Sequence, residues 1–329
     1  MAPKQSVVDG SGMSGQNGST SGSADTIIEC VPNFSEGLDR RKVLSIVNAM
    51  RMDGVQLLDW SLDADHNRSV VTIAGRPKDV IEAAVRGAGR ASELIDLTRQ
   101  SGVHPRIGAA DVIPFVPITG VSLEQCAMYA RQAGAEIWRR HGIPVYFYEF
   151  AAARPDRANL EDVRRGQFEG LREAVRKEPA RRPDIGGPDL HPTAGASAIG
   201  ARKFLIAWNV YLDKPDVTAA RAIARDIRDS SGGLRGVKAM GALVHGRAQV
   251  SMNIVDFRAT PVSEVFSAIQ QKAKPHHVQV TDGELIGLIP ESAYDAESEW
   301  ARQLKDFDPE LKILERRLEQ PLAWPTGVL

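Results

Sequence analysis

Two His-Pro pairs stand in glycine-flanked stretches of this chain. One lies in Gly102-Val-His-Pro-Arg-Ile-Gly-Ala-Ala-Asp111, the other in Gly187-Pro-Asp-Leu-His-Pro-Thr-Ala-Gly195. An imidazole that titrates near neutrality is the commonest general base, and a following proline biases its backbone to extended geometry. His104 is therefore a candidate for proton transfer. Asp111, at the head of the next strand, is a candidate to orient that imidazole or to build the turn. A His-Pro that merely opens a strand has equal weight on local features. In the second stretch, Gly187 and Gly195 let backbone approach a flat ligand, whose polar edge free amides can bind. Pro188, His191, Pro192 and Thr193 give this segment a shape that a flexible linker would not need.

A third segment, Asp63-Ala-Asp-His-Asn-Arg-Ser69, crowds carboxylates, an imidazole, an amide and a guanidinium before a strand. Its spacing fits no zinc signature, so a tight polar turn is expected. Arg68 has the fork geometry to clamp a substrate carboxylate, and Asn67 can bond turn backbone or substrate. Ser231-Gly-Gly-Leu-Arg-Gly236 has neither the Lys-Ser/Thr of a P-loop nor dinucleotide spacing. Cys30 and Cys126 are the only two cysteines. They cannot form a disulfide framework or a four-thiolate zinc site, their apolar neighbours mark them as core, and a reducing cytoplasmic compartment is the default reading.

The elements that must position these groups alternate between strand and helix. Strands are expected over 27–31, 55–60, 69–74, 111–117 and 145–150, with helices from 40, from 77 and over 122–141. A helix over 160–177 then leads into a long loop through Asp184 to Gly195. A second, smaller unit reads as strand 204–212, helix 219–229, strands 237–243 and 248–253, and helix 262–274. Short strands are expected at 278–280 and 286–288, and a mainly helical stretch over 293–319. The alternation predicts an α/β (α+β) layered protein. Residues 1–25, rich in Gly and Ser, are expected to be a disordered tail. Residues 26–202 and 203–329 would be two subdomains, the latter with a C-terminal helical extension.

The composition limits the function classes. The chain has 329 residues, 41 Lys+Arg against 42 Asp+Glu, and a net charge of -1. Such a balance argues against binding held by bulk attraction to nucleic acid. No apolar run reaches the roughly 18 residues that span a bilayer.

Four stretches together resemble a known family. They are Glu29-Cys-Val-Pro-Asn-Phe-Ser-Glu-Gly37, Asp65-His-Asn-Arg-Ser-Val70, His104-Pro-Arg-Ile-Gly-Ala-Ala-Asp-Val-Ile-Pro-Phe115 and Gly200-Ala-Arg-Lys-Phe-Leu-Ile-Ala-Trp-Asn209. In this order they closely resemble the glutamate formimidoyltransferases, the formiminotransferase half of animal formimidoyltransferase-cyclodeaminase. The resemblance runs from about Ile27 to Leu288. No stretch remains for a cyclodeaminase domain, so a stand-alone enzyme is expected. The resemblance implies two α/β subdomains, each a β-sheet layered with helices, with a substrate groove between them, and a homodimer. It implies transfer of the formimidoyl group from N-formimidoyl-L-glutamate to N5 of tetrahydrofolate, late in histidine breakdown. Tetrahydrofolate is then a co-substrate, and no metal, nucleic acid or membrane partner is expected.

The family's catalytic histidine carries over onto His104. Its folate contacts carry over onto Gly187, Pro188, His191, Pro192, Thr193 and Gly195 in one loop, and Gly233, Arg235, Lys238 and Gly241 in another. The first loop is one residue shorter than in animal enzymes and lacks their aromatic residue. Ser61, Asp63 and Asp65 compete for the place of one family acidic residue.

In the implied mechanism, His104 takes the proton that N5 loses and returns it to the leaving glutamate nitrogen. Asp111, or an acidic residue among Asp63 and Asp65, orients the imidazole or steadies the cationic amidine. Asn67, Arg68 and Arg106 bind the glutamate donor, and Arg235 and Lys238 meet the folate tail. Three alternatives stand beside this reading. They are formyl transfer between 5-formyltetrahydrofolate and glutamate, a folate-binding protein without turnover, and a metal-dependent hydrolase using His66, His104 and His191.

Overall fold

The computed structural model describes residues 26–102 and 105–326. The tail expected at residues 1–25 and the candidate base His104 lie outside the described residues. The chain runs β1 (Ile27–Cys30), β2 (Asn33–Phe34), α1 (Arg40–Ala49), β3 (Val55–Asp63), β4 (Arg68–Gly75), α2 (Pro77–Leu94), β5 (Ala110–Thr119), α3 (Leu123–His141) and β6 (Val145–Glu149). It continues through α4 (Leu160–Val163), α5 (Gln167–Lys177) and β7 (Ser197–Ala201). These strands build one mixed sheet. β1 and β2, interrupted at Val31 and Pro32, lie between β4 and β5, and β3 flanks β4. β7 runs parallel to both β5 and β6.

Local chemistry sets the helix ends. The Asp39 side chain accepts from the Arg41 and Lys42 amides and starts α1, whose Val43, Ile46 and Val47 are buried. Pro77 opens α2. Ser122 and Gln125 form a capping box on α3, and Gly142, left-handed at φ 63°, ends it. The first core lies between this sheet and the helices, around Phe34, Ile73, Val85, Phe115 and Phe168.

The second unit is β8 (Ile206–Leu212), α6 (Val217–Ile227), β9 (Val237–Val244), β10 (Arg247–Ile254), α7 (Val262–Ala273) and β11 (Val280–Ile286). Its sheet is antiparallel in the order β11-β8-β10-β9. One face packs on α6 and α7 around Trp208, whose ring meets Trp300 edge-on at 5.7 Å. The chain then forms short helices α8 (Glu299–Arg302), α9 (Pro309–Lys312) and α10 (Leu314–Glu319).

This last segment straps the two units together. Arg317 donates to the Leu58 carbonyl at 2.8 Å, and the Leu322 amide donates to the Leu57 carbonyl, also at 2.8 Å. A small apolar cluster joins Ile27, Leu58 and Ala74 of the first sheet to Leu288 and Leu314.

The α/β layering matches the expectation, and four local readings need correction. The helix expected over 160–177 is broken, because Gly166 takes a left-handed turn (φ 86°) between α4 and α5. The two short strands expected near 278–280 and 286–288 are one strand, Val280–Ile286, paired with β8. The stretch 293–319 holds only short helices, interrupted by Asp308-Pro309 among other breaks. β7 was not anticipated. Its Ser-Ala-Ile-Gly-Ala lacks the large β-branched run of an obvious strand, yet it is buried throughout between two parallel neighbours.

Candidate active site

A small polar depression forms where β2, the β3–β4 turn and the start of β5 converge. Asn33, Phe34, Ser35, His66, Asn67, Arg68, Arg106 and Asp111 line it. The structure thus gathers Asn67, Arg68, Arg106 and Asp111 from two separate sequence motifs. Close backbone approach makes this possible: a Cβ on Gly37 would lie 2.1 Å from the Asp63 carbonyl oxygen. Asn67, left-handed at φ 48°, works as a pin. Its Oδ1 accepts from the Gly37 amide at 2.9 Å, and its Nδ2 donates to the Ser101 carbonyl at 2.8 Å. The second contact ties the β3–β4 turn to the segment that leads into His104.

Arg68 is the unusual group. It is half-buried, and no hydrogen bond or ion pair reaches its guanidinium among the described residues, while its buried Nε is without a partner. Burial, and then the nearby Arg164 charge, lower its pKa to about 10, with Asp111 and Asp63 opposing. A partly desolvated cation without a paired anion is suited to receive one.

Asp111 is fully engaged. Its Oδ1 accepts from the Ile107 and Gly108 amides at 2.7 and 3.3 Å, and its Oδ2 pairs with Arg164 at 2.6 Å. The carboxylate therefore anchors the backbone that follows His104. Arg106 is also committed, donating to Glu169 at 2.9 Å and to the Gln100 carbonyl at 2.7 Å. Asp63 pairs with His66 Nδ1 at 2.6 Å, and Asp65 reaches His245 at 2.8 Å.

The loop 187–195 packs against the same region. The Leu97 amide donates to the Thr193 carbonyl, and the Ala109 amide to the Ala194 carbonyl, both at 2.9 Å. His191 Nδ1 accepts from the Ala194 amide at 3.0 Å. Burial lowers the His191 pKa, which favours the neutral ring with Nδ1 as acceptor. Gly187, Pro188 and Pro192 are exposed, and the Gly187-Pro188 peptide is cis.

The second loop is split between two faces of β9. Gly241 is on the helix side, where an added Cβ would lie 2.2 Å from the Arg221 amide of α6. Gly233 packs on the Ile227 carbonyl, and Arg235 is exposed. Lys238 is on the opposite face and pairs with Glu161 of the first unit at 3.0 Å. The β9–β10 turn reaches the first unit again through His245 and Asp65. Between these ties, Met240, on the Lys238 face, is 63% exposed. Met240 is thus left uncovered between the two ties to the first unit.

Sequence reasoning missed Arg164, Glu169 and Gln100, which have no spacing relation to the motifs they hold. Glu29, Asn33 and Ser35 lay inside a recognised motif but were not singled out. Glu29 is buried on β1, and burial raises its carboxyl to about 7, with Arg202 opposing. A raised native pKa contributes stability that is complete below the unfolded value near 4.5 and is lost as pH rises through about 7. Glu29→Gln should remove this loss. Melting temperatures of the two forms should separate in the variant's favour across that window.

Among the described residues, no group of three or more His, Cys, Asp or Glu side chains is placed to hold a metal ion, and no helix is long and apolar enough to cross a membrane.

Comparison with known proteins fits this geometry. Residues 27–202 match the family model for the formiminotransferase domain, N-terminal subdomain, and residues 207–318 that for the formiminotransferase domain. The chain is 44% identical over 295 residues to glutamate formimidoyltransferase of Streptococcus pyogenes serotype M1, covering 89% of this chain and 98% of the relative. It is 42% identical over 300 residues to the protein of the same name from Thermoplasma acidophilum, covering 90% and 98%. Formimidoyltransferase-cyclodeaminase of Mus musculus is 38% identical over 273 residues, 80% of this chain and 50% of the relative. With both family models matched in order and relatives of 44% and 42% identity covered almost in full, this chain belongs to the formiminotransferase family.

Proposed function

We propose that this protein transfers the formimidoyl group of N-formimidoyl-L-glutamate to N5 of tetrahydrofolate and releases L-glutamate, in the degradation of histidine. Family membership supports the reading. The observation that carries it is the Arg68 guanidinium, unpaired among the described residues and set in a polar depression beside the segment that leads to His104. That arrangement suits an anionic small molecule whose reacting end must meet a proton-transfer group.

Tetrahydrofolate supplies the nucleophilic nitrogen, N5. Arg68 binds a glutamate carboxylate, with Arg106 fixed behind it by Glu169. His104 accepts the proton that N5 loses and delivers it to the departing glutamate nitrogen, so one imidazole serves both halves. Asp111 acts on His104 as a positioning residue, through the amides of Ile107 and Gly108. Asp63 and Asp65 place negative charge at the mouth, where it steadies a cationic amidine. The loops 187–195 and 233–241 hold the folate, with Lys238 and Arg235 toward its anionic tail. The protein acts as a cytoplasmic homodimer, and sedimentation tests the dimer.

A spectrophotometric assay with formimidoylglutamate and tetrahydrofolate, following the folate product, tests the reaction. 5-Formyltetrahydrofolate with glutamate is run in parallel, and activity there alone would replace this reading by formyl transfer. Arg68→Met should raise the KM for formimidoylglutamate by about tenfold to a hundredfold, the loss of one charge-assisted contact. An unchanged KM would remove Arg68 from donor binding.

A further inference from the structure

Glu29 is a carboxylate without hydrogen-bond donors among the described residues. It is 2% exposed, and among the described residues no hydrogen bond or ion pair reaches its side chain. The one charge that opposes its burial is Arg202, whose guanidinium donates to the Lys203 carbonyl. Glu149, also raised by burial, draws on the same arginine.

The strand pattern says which way Glu29 faces. Ile28 and Cys30 enter the helix-covered core, while Ile27 joins the cluster between the units. Glu29 lies directly across from Ala74 of β4, which belongs to that same cluster. Residues 68, 70, 72 and 74 share one face of β4, so Arg68 and Glu29 look toward the second unit from one surface. Six residues separate their register positions, about 20 Å along the strand. Between them, Asn33 stands opposite Val70 with a buried, unpartnered Oδ1. One face thus carries, in line, an unpaired cation, an unpartnered amide oxygen and a carboxylate without donors.

Burying such a carboxylate is costly unless a ligand supplies the hydrogen bonds. A carboxylate accepts best from two parallel N–H groups. The pyrimidine ring of a reduced pterin offers that edge, with N3–H beside the 2-amino group. We infer that Glu29 binds this edge of tetrahydrofolate and so sets the depth at which N5 meets the formimidoyl carbon. The assignment rests on the proposed transfer reaction. The order of the three groups along this face, Arg68, Asn33 and Glu29, matches the order of donor carboxylate, N5 and pyrimidine ring that the transfer requires.

The test compares tetrahydrofolate with its 2-desamino-2-methyl analogue by calorimetric titration of the wild type and Glu29→Gln. The wild type should bind the analogue roughly 30-fold more weakly, the order of a lost charge-assisted hydrogen bond. Glu29→Gln should bind tetrahydrofolate roughly 30-fold more weakly and no longer tell the two ligands apart. Its KM for formimidoylglutamate should stay near that of the wild type, which a general loss of structure would not allow. If the wild type transfers formimidoyl groups but shows no preference for the 2-amino ligand, or Glu29→Gln keeps that preference, the role of Glu29 is overturned alone. A wild type that neither binds tetrahydrofolate nor transfers the group overturns both readings.

Discussion

His104→Ala should lower the turnover of formimidoyl transfer by at least about a hundredfold, within the 10²–10⁴ range of general acid–base catalysis. The reason is chemical economy. N5 must lose a proton as its new bond forms, and the glutamate nitrogen must gain one as its bond breaks. With a single imidazole serving both, its removal leaves water to do each task without orientation. The segment around it is built to hold a direction: Asn67 fixes the Ser101 carbonyl on one side, and Asp111 fixes the amides of Ile107 and Gly108 on the other. The variant should melt near the wild type and keep its affinity for tetrahydrofolate. Steady-state kinetics with both substrates saturating makes the measurement. Turnover near the wild-type value would take His104 out of the mechanism.

The second large effect concerns stability. Asp111→Ala should cost about 3–5 kcal/mol in urea unfolding, the range for breaking a buried ion pair from one side. Asp111 is buried and serves Arg164 at 2.6 Å together with two backbone amides. Without it, Arg164 keeps a mostly buried charge with no anion and stands near the already unpaired Arg68. The loop beside His104 also loses its anchor, so turnover should fall with stability. The double variant Asp111→Ala/Arg164→Met should recover part of the loss, because the orphaned charge is gone. A single-variant cost below about 1 kcal/mol would mean that Arg164 finds another partner or escapes to water. Arg68→Met differs in kind: it removes a cation that has no partner among the described residues, so it should weaken donor binding without destabilising the fold.

Much of this was legible in the chain itself. The helices of the first unit follow from 3.6-residue periodicity and local caps at Asp39, Pro77 and Ser122, because those signals act within a few residues. The motifs around Asn67, Arg68, Arg106 and Asp111 declared their chemical types, and four stretches in order were enough to indicate the family. The β strands with alternating or bulky residues were visible. β7 was not, since its small residues are buried by two parallel neighbours that only the assembled sheet provides.

The roles of those motif residues were decided in three dimensions. Asp111, a candidate to orient an imidazole or to build the turn, is bound to Arg164, 53 residues away in sequence, and to the backbone of its own loop. Asn67 is a pin between two loops, and Gly241 makes room for α6. Arg68 and Glu29 became informative through what they lack. Residue type alone gives charge and reach. Whether a charge is compensated depends on every group packed around it, and that is settled only when distant segments meet. The sequence by itself therefore determined the family, the layered elements and the chemical inventory of the site. The tertiary structure decided which of those groups are already paired and which remain available to substrate.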